Sequence, residues 1–109
     1  MITIDGKSYP LWSKFVENKH EWIGGTIEED PEFPECLSPG GTTTITDISL
    51  SKFSEDSDTV VFTIHGKDFD ESFNVEYGGV SGGDGDCLEF HVPMCSGFRI
   101  RKPKANHEQ

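Results

Sequence analysis

The clearest structural signal in the chain spans residues 59–77, whose sequence is TVVFTIHGKDFDESFNVEY. Apolar and polar side chains alternate on both sides of Gly66-Lys67, and such alternation is typical of a β-strand with one buried face. Gly-Lys at the centre of this segment favours a type II′ turn. The turn predicts a hairpin that pairs His65 with Asp68, Ile64 with Phe69 and Phe62 with Glu71. Apart from Glu71, one face of this hairpin then carries Val60, Phe62, Ile64, Phe69, Phe73, Val75 and Tyr77.

Further strands are predicted on both sides of this hairpin. Residues 44–53 alternate at Ile48 and Leu50, whereas Ile45 falls out of phase, which predicts a bulge or a late strand start. A polar turn follows at residues 54–58. Beyond a glycine-rich loop at residues 78–86, two more strands are expected at 87–92 and 98–101. Their inward residues are predicted to be Leu88, Phe90, Val92, Phe98 and Ile100.

The N-terminal part predicts a short hairpin and then the one convincing helix. Asp5-Gly6 between two β-type stretches is a strong signal for a two-residue turn. Pro10 suits the first helical turn. From Leu11 to Trp22 the bulky side chains recur at helical spacing, which predicts an amphipathic helix of about three turns that Gly24-Gly25 ends.

The fold class that follows is α+β, with a single N-terminal amphipathic helix packed on an antiparallel β-meander of about five strands and a short N-terminal hairpin. Residues 1–102 are expected to form one domain that contains an acidic, proline-rich loop at residues 26–41. Residues 103–109 are expected to be a flexible C-terminal tail. Trp12 and Trp22 are assigned to the core, although the sequence leaves open whether either is exposed.

Composition excludes several classes of function. The chain has 109 residues, with 20 Asp plus Glu against 9 Lys plus Arg, and a formal net charge of −11. An acidic chain repels phosphates, so direct binding to nucleic acid is not expected. No apolar run is long enough to span a bilayer, and no signal-peptide pattern opens the sequence, so no membrane is expected either. The odd number of cysteines, 3, suits reduced thiols in a cytoplasmic protein.

The meander predicts where the acidic residues gather. Turns 54–58 and 78–86 should lie at one end of the sheet and the acidic loop at the other. On the predicted strand, Asp68, Asp70 and Glu76 share the solvent face, where alternate residues are about 6.6–6.8 Å apart, a spacing comparable with that of successive phosphates. The last strand and the tail deliver Arg99, Arg101, Lys102 and Lys104 toward the first end, which should partly neutralise it. The candidate partner-binding residues are Glu28, Glu29, Asp30, Glu32, Glu55, Asp56, Asp58, Asp68, Asp70, Glu76, Asp84 and Asp86.

Metal and catalytic sites are not predicted. A zinc set of Cys36, Cys87, His91 and Cys95 fails because Cys87 and His91 lie about 13 Å apart on one predicted strand. A calcium set around Asp84 and Asp86 with the acids of turn 54–58 lacks the EF-hand spacing. Common catalytic motifs are absent, and His65 with Asp68 is the one geometrically credible catalytic pair. We therefore expect no metal, no cofactor and no enzymatic activity.

The sequence favours a non-enzymatic acidic binding protein that engages a basic, nucleic-acid-binding protein partner. It would act as an inhibitor or nucleic-acid mimic, of the type that phages and mobile elements encode against host defence, because complementary charge sets the rate and specificity of such encounters. One alternative is an acidic module that assembles with itself as a homodimer, or with neighbouring subunits, through the sheet edge and the 26–41 loop. Another is a small enzyme or ligand-binding protein built around His65 and Asp68.

Overall fold

The structure, a computed structural model, describes residues 1–29, 41–92 and 97–103. It begins with the predicted hairpin, in which β1 (Thr3–Ile4) pairs with β2 (Lys7–Ser8). Asp5 and Gly6 both have positive φ, 51° and 81°, as a type I′ turn requires. The turn chemistry at this end of the chain is therefore confirmed.

The predicted helix is present but shorter than expected. Helix α1 spans Pro10–Glu17 with Pro10 in its first turn, and a 3₁₀ turn follows at Lys19–Glu21. Asn18 lies between the two and ends the α-helical part. Trp12 and Trp22 are both buried, with 8% and 5% of their surface exposed, so both are core residues.

In the part of the chain that the structure describes, the main sheet contains seven antiparallel strands rather than about five, so the α+β class is confirmed and the strand count is corrected. The strands are β3 (Thr26–Glu29), β4 (Gly41–Lys52), β5 (Val60–Gly66), β6 (Glu71–Asn74), β7 (Gly79–Gly83), β8 (Cys87–His91) and β9 (Phe98–Arg101). Their order, β6-β5-β4-β3-β9-β8-β7, is not the predicted meander, because β9 pairs with β3 and the consecutive strands β6 and β7 lie at opposite ends of the order. The two additional strands, β3 and β7, lie inside the predicted loops 26–41 and 78–86. Neither shows an alternating apolar pattern, because β3 has one apolar side chain and β7 is largely glycine.

The sheet folds back on itself along β4. The first part of β4 pairs with β3, and the part from Ile45 onward pairs with β5. The register shifts between Ile45 and Asp47, which is the predicted bulge. A strand that bends at a bulge can turn a corner between two packed layers. The two layers are thus parts of one hydrogen-bonded sheet.

Aromatic rings from both layers form the core. Phe73 of β6 lies 5.9 Å from Phe90 of β8 and 6.2 Å from Phe98 of β9, measured between ring centroids. Trp12 of α1 packs on Phe62 of β5 with centroids 4.7 Å apart. The helix therefore covers the same aromatic cluster that joins the two layers.

The β5–β6 hairpin differs from its predicted register. Phe62 pairs with Phe73 and Ile64 with Glu71, so the predicted pairs His65–Asp68, Ile64–Phe69 and Phe62–Glu71 are wrong. Gly66 does not have a positive φ, and the turn consists of residues 67–70. A glycine is needed there because a Cβ would collide with the carbonyl oxygen of Phe69 and the methyl group of Thr43. The shift of two residues keeps each remaining strand residue on its predicted face.

The end of this hairpin also differs from the prediction. Strand β6 ends at Asn74, and Tyr77 is 69% exposed rather than directed inward. Val75 still packs against the core. Tyr77 lies beyond the strand, where a hydrogen-bonded turn from Asn74 has ended the alternation.

We expect Phe62→Ala to lower the free energy of unfolding by about 3–5 kcal/mol, because Phe62 is fully buried and its removal leaves a cavity under Trp12. The measurement is urea denaturation followed by tryptophan fluorescence. Phe53→Ala is the matched control, since Phe53 is 75% exposed and its loss should change stability by less than about 0.5 kcal/mol. Equal effects of the two variants would contradict the assigned core.

Candidate functional site

One end of the β4–β5–β6 layer collects exposed acidic and aromatic side chains. The β4–β5 turn begins where the N–H of Phe53 donates to the carbonyl of Thr59, at 2.8 Å. The chain leaving β6 lies beside it, because the N–H of Val75 donates to the carbonyl of Val60, at 3.0 Å. We call this surface the acidic end and define it by Phe53, Glu55, Asp56, Asp58, Glu76 and Tyr77.

The acidic end carries uncompensated negative charge. The nearest cation in sequence, Lys52, pairs with Asp5 of the N-terminal hairpin at 3.0 Å and donates to the backbone carbonyl of Glu55 at 3.1 Å. Its charge is therefore directed to the hairpin and the turn backbone. Within residues 1–29, 41–92 and 97–103, no ion pair is formed by the exposed carboxylates Glu55, Asp56, Asp58 and Glu76.

Two aromatic rings stand among these carboxylates. Phe53 is 75% exposed and Tyr77 is 69% exposed. Aromatic side chains at the centre of a protein interface often contribute most of its binding energy. The acidic end thus combines charge that can attract a basic partner with rings that can anchor it.

The basic residues lie elsewhere, on the β3–β9–β8 part of the sheet. The carboxylate of Glu28 accepts from Arg99 at 3.3 Å and from Arg101 at 2.9 Å, and it raises the pKa of Arg101 through this hydrogen bond. Arg99 also approaches Glu89 at 3.5 Å, and Lys102 pairs with Glu21 at 3.2 Å. Charge on this side of the molecule is therefore largely paired.

The other predicted binding residues are dispersed. Asp68 and Asp70 lie in the β5–β6 turn rather than on a strand, so with Glu76 beyond the far end of β6 they form no strand-borne series with phosphate-like spacing. Strand β7 lies within the predicted loop 78–86 and divides it. Its first residues adjoin the acidic end, whereas Asp84 and Asp86 lie at the other end of β7. Glu28 is held by arginines and Glu29 points inward, while Asp30, Glu32 and Lys104 lie outside the described residues.

The turn that contains Asp84 and Asp86 is instead stabilised internally. The Oδ1 atom of Asp84 accepts hydrogen bonds from the backbone N–H groups of Asp86 and Cys87, at 2.9 and 3.1 Å. The carbonyl of Asp86 accepts from the N–H of Lys102, at 2.9 Å. The end of the last strand therefore lies beside this turn, but the ion pairs of its basic residues are with Glu28, Glu89 and Glu21 rather than with the acids of the two predicted turns.

A carboxyl pair inside the fold was not predicted from the sequence. Glu71 shares the inner face of β6 with Phe73, and Glu29 shares the inner face of β3 with fully buried Ile27. Burial is the main cause that raises the pKa of Glu71 to about 8, and the hydrogen bond and negative charge of Glu29 add to it. The pair therefore holds a proton at neutral pH. In the sequence, the signal that could have predicted this pair was Glu71, the one acidic residue on an otherwise apolar strand face.

A cleft of about 370 Å³ opens beside this pair, lined by Glu28, Glu29, Glu89, His91, Phe98 and Arg99 among others. Residues 30–40 and 93–96 lie outside the described part of the chain. Cys36 and Cys95, two members of the zinc set that the sequence analysis rejected, fall in those same segments. Across the described ranges, no group of three or more His, Cys, Asp or Glu side chains is arranged to hold a metal ion.

His65 has different partners from the predicted Asp68. Its Nδ1 atom faces Asp70 at 3.5 Å and its Nε2 atom faces the hydroxyl of Ser49 at 2.9 Å. Asp68 instead bonds to Thr43, whose hydroxyl oxygen accepts from the Asp68 N–H at 2.8 Å. The His65–Asp68 contact is therefore replaced by a contact with Asp70.

Comparison with known proteins identifies no relative: no protein-family model, no curated protein and no solved structure matches this chain. In the described part of the chain, no helix has the length and apolar character to cross a membrane. The case for a function therefore rests on the residues themselves.

The carboxyl pair predicts a defined pH dependence of stability. Because the folded-state pKa of Glu71, about 8, lies above its ordinary value of 4.5, the folded state holds a proton that the unfolded state has lost between these values. The contribution is therefore full below pH 4.5 and is lost as the pH rises to about 8. In Glu71→Gln the neutral amide can still donate to Glu29, so we expect the variant to be more stable than the wild type above pH 8.

Urea denaturation between pH 5 and pH 9 measures this effect. The advantage of Glu71→Gln should shrink as the pH falls, since wild-type Glu71 then carries its own proton. Glu76→Gln is the control, because it removes the same charge from an exposed position. A parallel pH dependence in the wild type and Glu71→Gln would show that the pair does not retain its proton.

Proposed function

We propose that the protein is an acidic binding protein that engages a basic partner protein through the acidic end. The observation that carries the proposal is the combination of Glu55, Asp56, Asp58 and Glu76, none of them ion-paired within the described residues, with exposed rings at Phe53 and Tyr77. A basic protein surface would neutralise the carboxylates and bury the rings. Binding would thus relieve repulsion within a chain of net charge −11.

The chemistry favours a protein as the partner. Nucleic acid is excluded by charge, and a small cation would leave Phe53 and Tyr77 in water. Proteins with strongly basic surfaces are often those that bind nucleic acid. We propose that this chain covers such a surface as an inhibitor, of the kind that phages and mobile elements use against host defence.

The distribution of acids supports a compact contact rather than an extended imitation of a nucleic-acid strand. The acidic end is built from one turn and one connection. Asp68 and Asp70 lie across the length of β5 from it, at about 3.3 Å per residue. The nucleic-acid mimic is therefore the weaker form of the proposal. The acidic end still suits a partner whose basic site is local.

The charge part of the proposal is tested with Asp56→Asn/Asp58→Asn. A partner captured from a cell lysate by the wild-type protein should associate more slowly with this variant, because complementary charge accelerates encounter. Raising the salt concentration should slow the wild-type association more than that of the variant. The measurement is the association rate by surface plasmon resonance at two salt concentrations.

Glu17→Gln/Glu89→Gln is the matched control for that experiment. It changes the net charge by the same amount but removes carboxylates that lie on the helix and on β8. Its association rate should stay close to that of the wild type. An equal loss in both double variants would mean that only net charge matters, and the acidic end would not be the binding site.

Tyr77→Ala tests the aromatic anchor. We expect its affinity to fall at least about 10-fold, mainly through faster dissociation, because a buried aromatic anchor is worth about 2 kcal/mol or more. The variant should keep the wild-type unfolding midpoint, since Tyr77 is exposed. A dimer mass that survives high salt, with no basic protein captured, would instead favour self-assembly.

A further inference from the structure

Ser49, His65 and Asp70 are neighbours on the outer face of the sheet, where Ser49 is within hydrogen-bond distance of His65 and Asp70 is within ion-pair distance of it. The hydroxyl Oγ of Ser49 lies 2.9 Å from Nε2 of His65. The other ring nitrogen, Nδ1, lies 3.5 Å from Oδ2 of Asp70. This group lies at the β5–β6 turn, whereas the acidic end lies at the opposite end of β5. It is therefore a separate site.

Backbone pairing holds these side chains in place. Asp47 of β4 is directly opposite His65 of β5, and Ser49 is the next residue on the same face of β4. Such diagonal neighbours on adjacent strands are within reach of a long side chain. The second carboxylate oxygen of Asp70 accepts the N–H of Gly66 at 3.0 Å, which fixes the carboxylate beside His65.

Asp70 also favours one tautomer of neutral His65. Its carboxylate lies 3.5 Å from Nδ1, and a negative charge at that distance favours the tautomer that carries its proton on Nδ1. Nε2 then presents its lone pair to Ser49, and the Ser49 hydroxyl donates to it. The other nearby carboxylate, Asp47, is engaged by Lys19 at 2.9 Å, and this hydrogen bond lowers the pKa of Asp47. His65 is thus oriented toward Asp70 and Ser49.

We infer that Ser49 is a nucleophilic serine that accepts acyl groups from activated esters. His65 is the general base, and Asp70 is a positioning residue that keeps the imidazole in the required tautomer. These are the roles of serine, histidine and aspartate in nucleophilic catalysis generally. The inference goes beyond the proposed binding function and does not depend on it.

The reaction with an aryl ester has two steps. Ser49 Oγ forms a bond to the acyl carbon, its proton passes to Nε2 of His65, and the carbon–oxygen bond to the aryl group breaks to release the phenolate. The protonated His65 then loses that proton to solvent. Water attacks the acyl carbon while Nε2 of His65 removes one of its protons, the bond from the acyl carbon to Ser49 Oγ breaks, and His65 returns the proton to Oγ, which releases the carboxylic acid and restores Ser49. No oxidant, reductant or cofactor is required.

The exposure of the site defines the substrate class. Ser49 is half-buried, and the neighbouring side chains of His65 and Asp70 are 36% and 52% exposed, so the site is open to small esters from solvent. Among the described residues, the geometry activates the serine nucleophile but places no group to assist the leaving group. We therefore assign the substrate class as esters with a good leaving group, because its departure needs little assistance.

The experiment uses the full chain and 4-nitrophenyl acetate, with release of 4-nitrophenolate followed by absorbance and the acetyl group located by mass spectrometry. We expect one acetyl group on Ser49, and its loss together with the ester turnover in Ser49→Ala. Ser51→Ala is the matched control, since Ser51 is an exposed serine two residues further along the same strand face. It should retain the wild-type rate and label.

Two further variants test the roles of the neighbours. His65→Gln should lower the acylation rate about 100-fold or more, which is the usual contribution of a general base. Asp70→Asn keeps an oxygen for the N–H of Gly66 but can donate its amide to Nδ1, which moves the proton to Nε2 and opposes proton transfer from Ser49. Its rate should fall nearly as far, with the unfolding midpoint unchanged.

Several results would overturn the inference. Acetyl groups found on His65 or on lysines instead of Ser49 would mean ordinary surface reactivity. A wild-type rate in Ser49→Ala would show that Ser49 is not the nucleophile. A wild-type rate in Asp70→Asn would show that Asp70 does not position His65. The binding proposal is measured by association with a partner, and this inference is measured by acyl transfer to Ser49, so failure of one is distinguished from failure of the other.

Discussion

The connection Val75–Gly78 joins two edge strands that stand at opposite ends of the strand order, and this short tether constrains the rest of the structure. A flat sheet cannot satisfy it, so the sheet must fold back, and the bulge in β4 supplies the bend. The tether itself is tightly packed. A Cβ at Gly78 would lie 2.6 Å from the Phe73 ring and 2.9 Å from the carbonyl oxygen of His91.

This constraint also separates the charges. Once the inner face is filled by aromatic rings, almost all carboxylates must lie outside, and the chain has too few basic residues to pair them. Strand β9 and the residue after it carry the cations Arg99, Arg101 and Lys102. These cations form ion pairs with Glu28, Glu89 and Glu21 on nearby elements. Among the described residues, none of these cations forms an ion pair with the acids of the β4–β5 turn. The uneven distribution of charge over the surface thus follows from the position of β9 in the sheet.

Sequence patterns predicted the features that depend only on residues close together in the chain. The Asp5-Gly6 turn, the bulge after Ile45 and the inward faces of β5, β8 and β9 were readable from turn chemistry and alternation. Strands β3 and β7 were not, because pairing to neighbours rather than their own side chains makes them strands. The carboxyl pair and the Ser49–His65 contact depend on register across the fold. Gly66 is required by close packing and not by a turn, and the sequence does not distinguish the two roles. The predicted register of the hairpin was therefore wrong by two residues.

Strand β5 links the two proposed sites and also isolates them. From Val60 to His65 it spans about 17 Å at 3.3 Å per residue, and its inward residues Phe62 and Ile64 are fully buried. Substitutions more than about 7–10 Å apart without shared partners usually have additive effects. This separation allows the proposed binding surface at one end of β5 and the proposed nucleophilic serine at the other to vary independently. Non-additive effects between the two ends would require movement of the aromatic core itself.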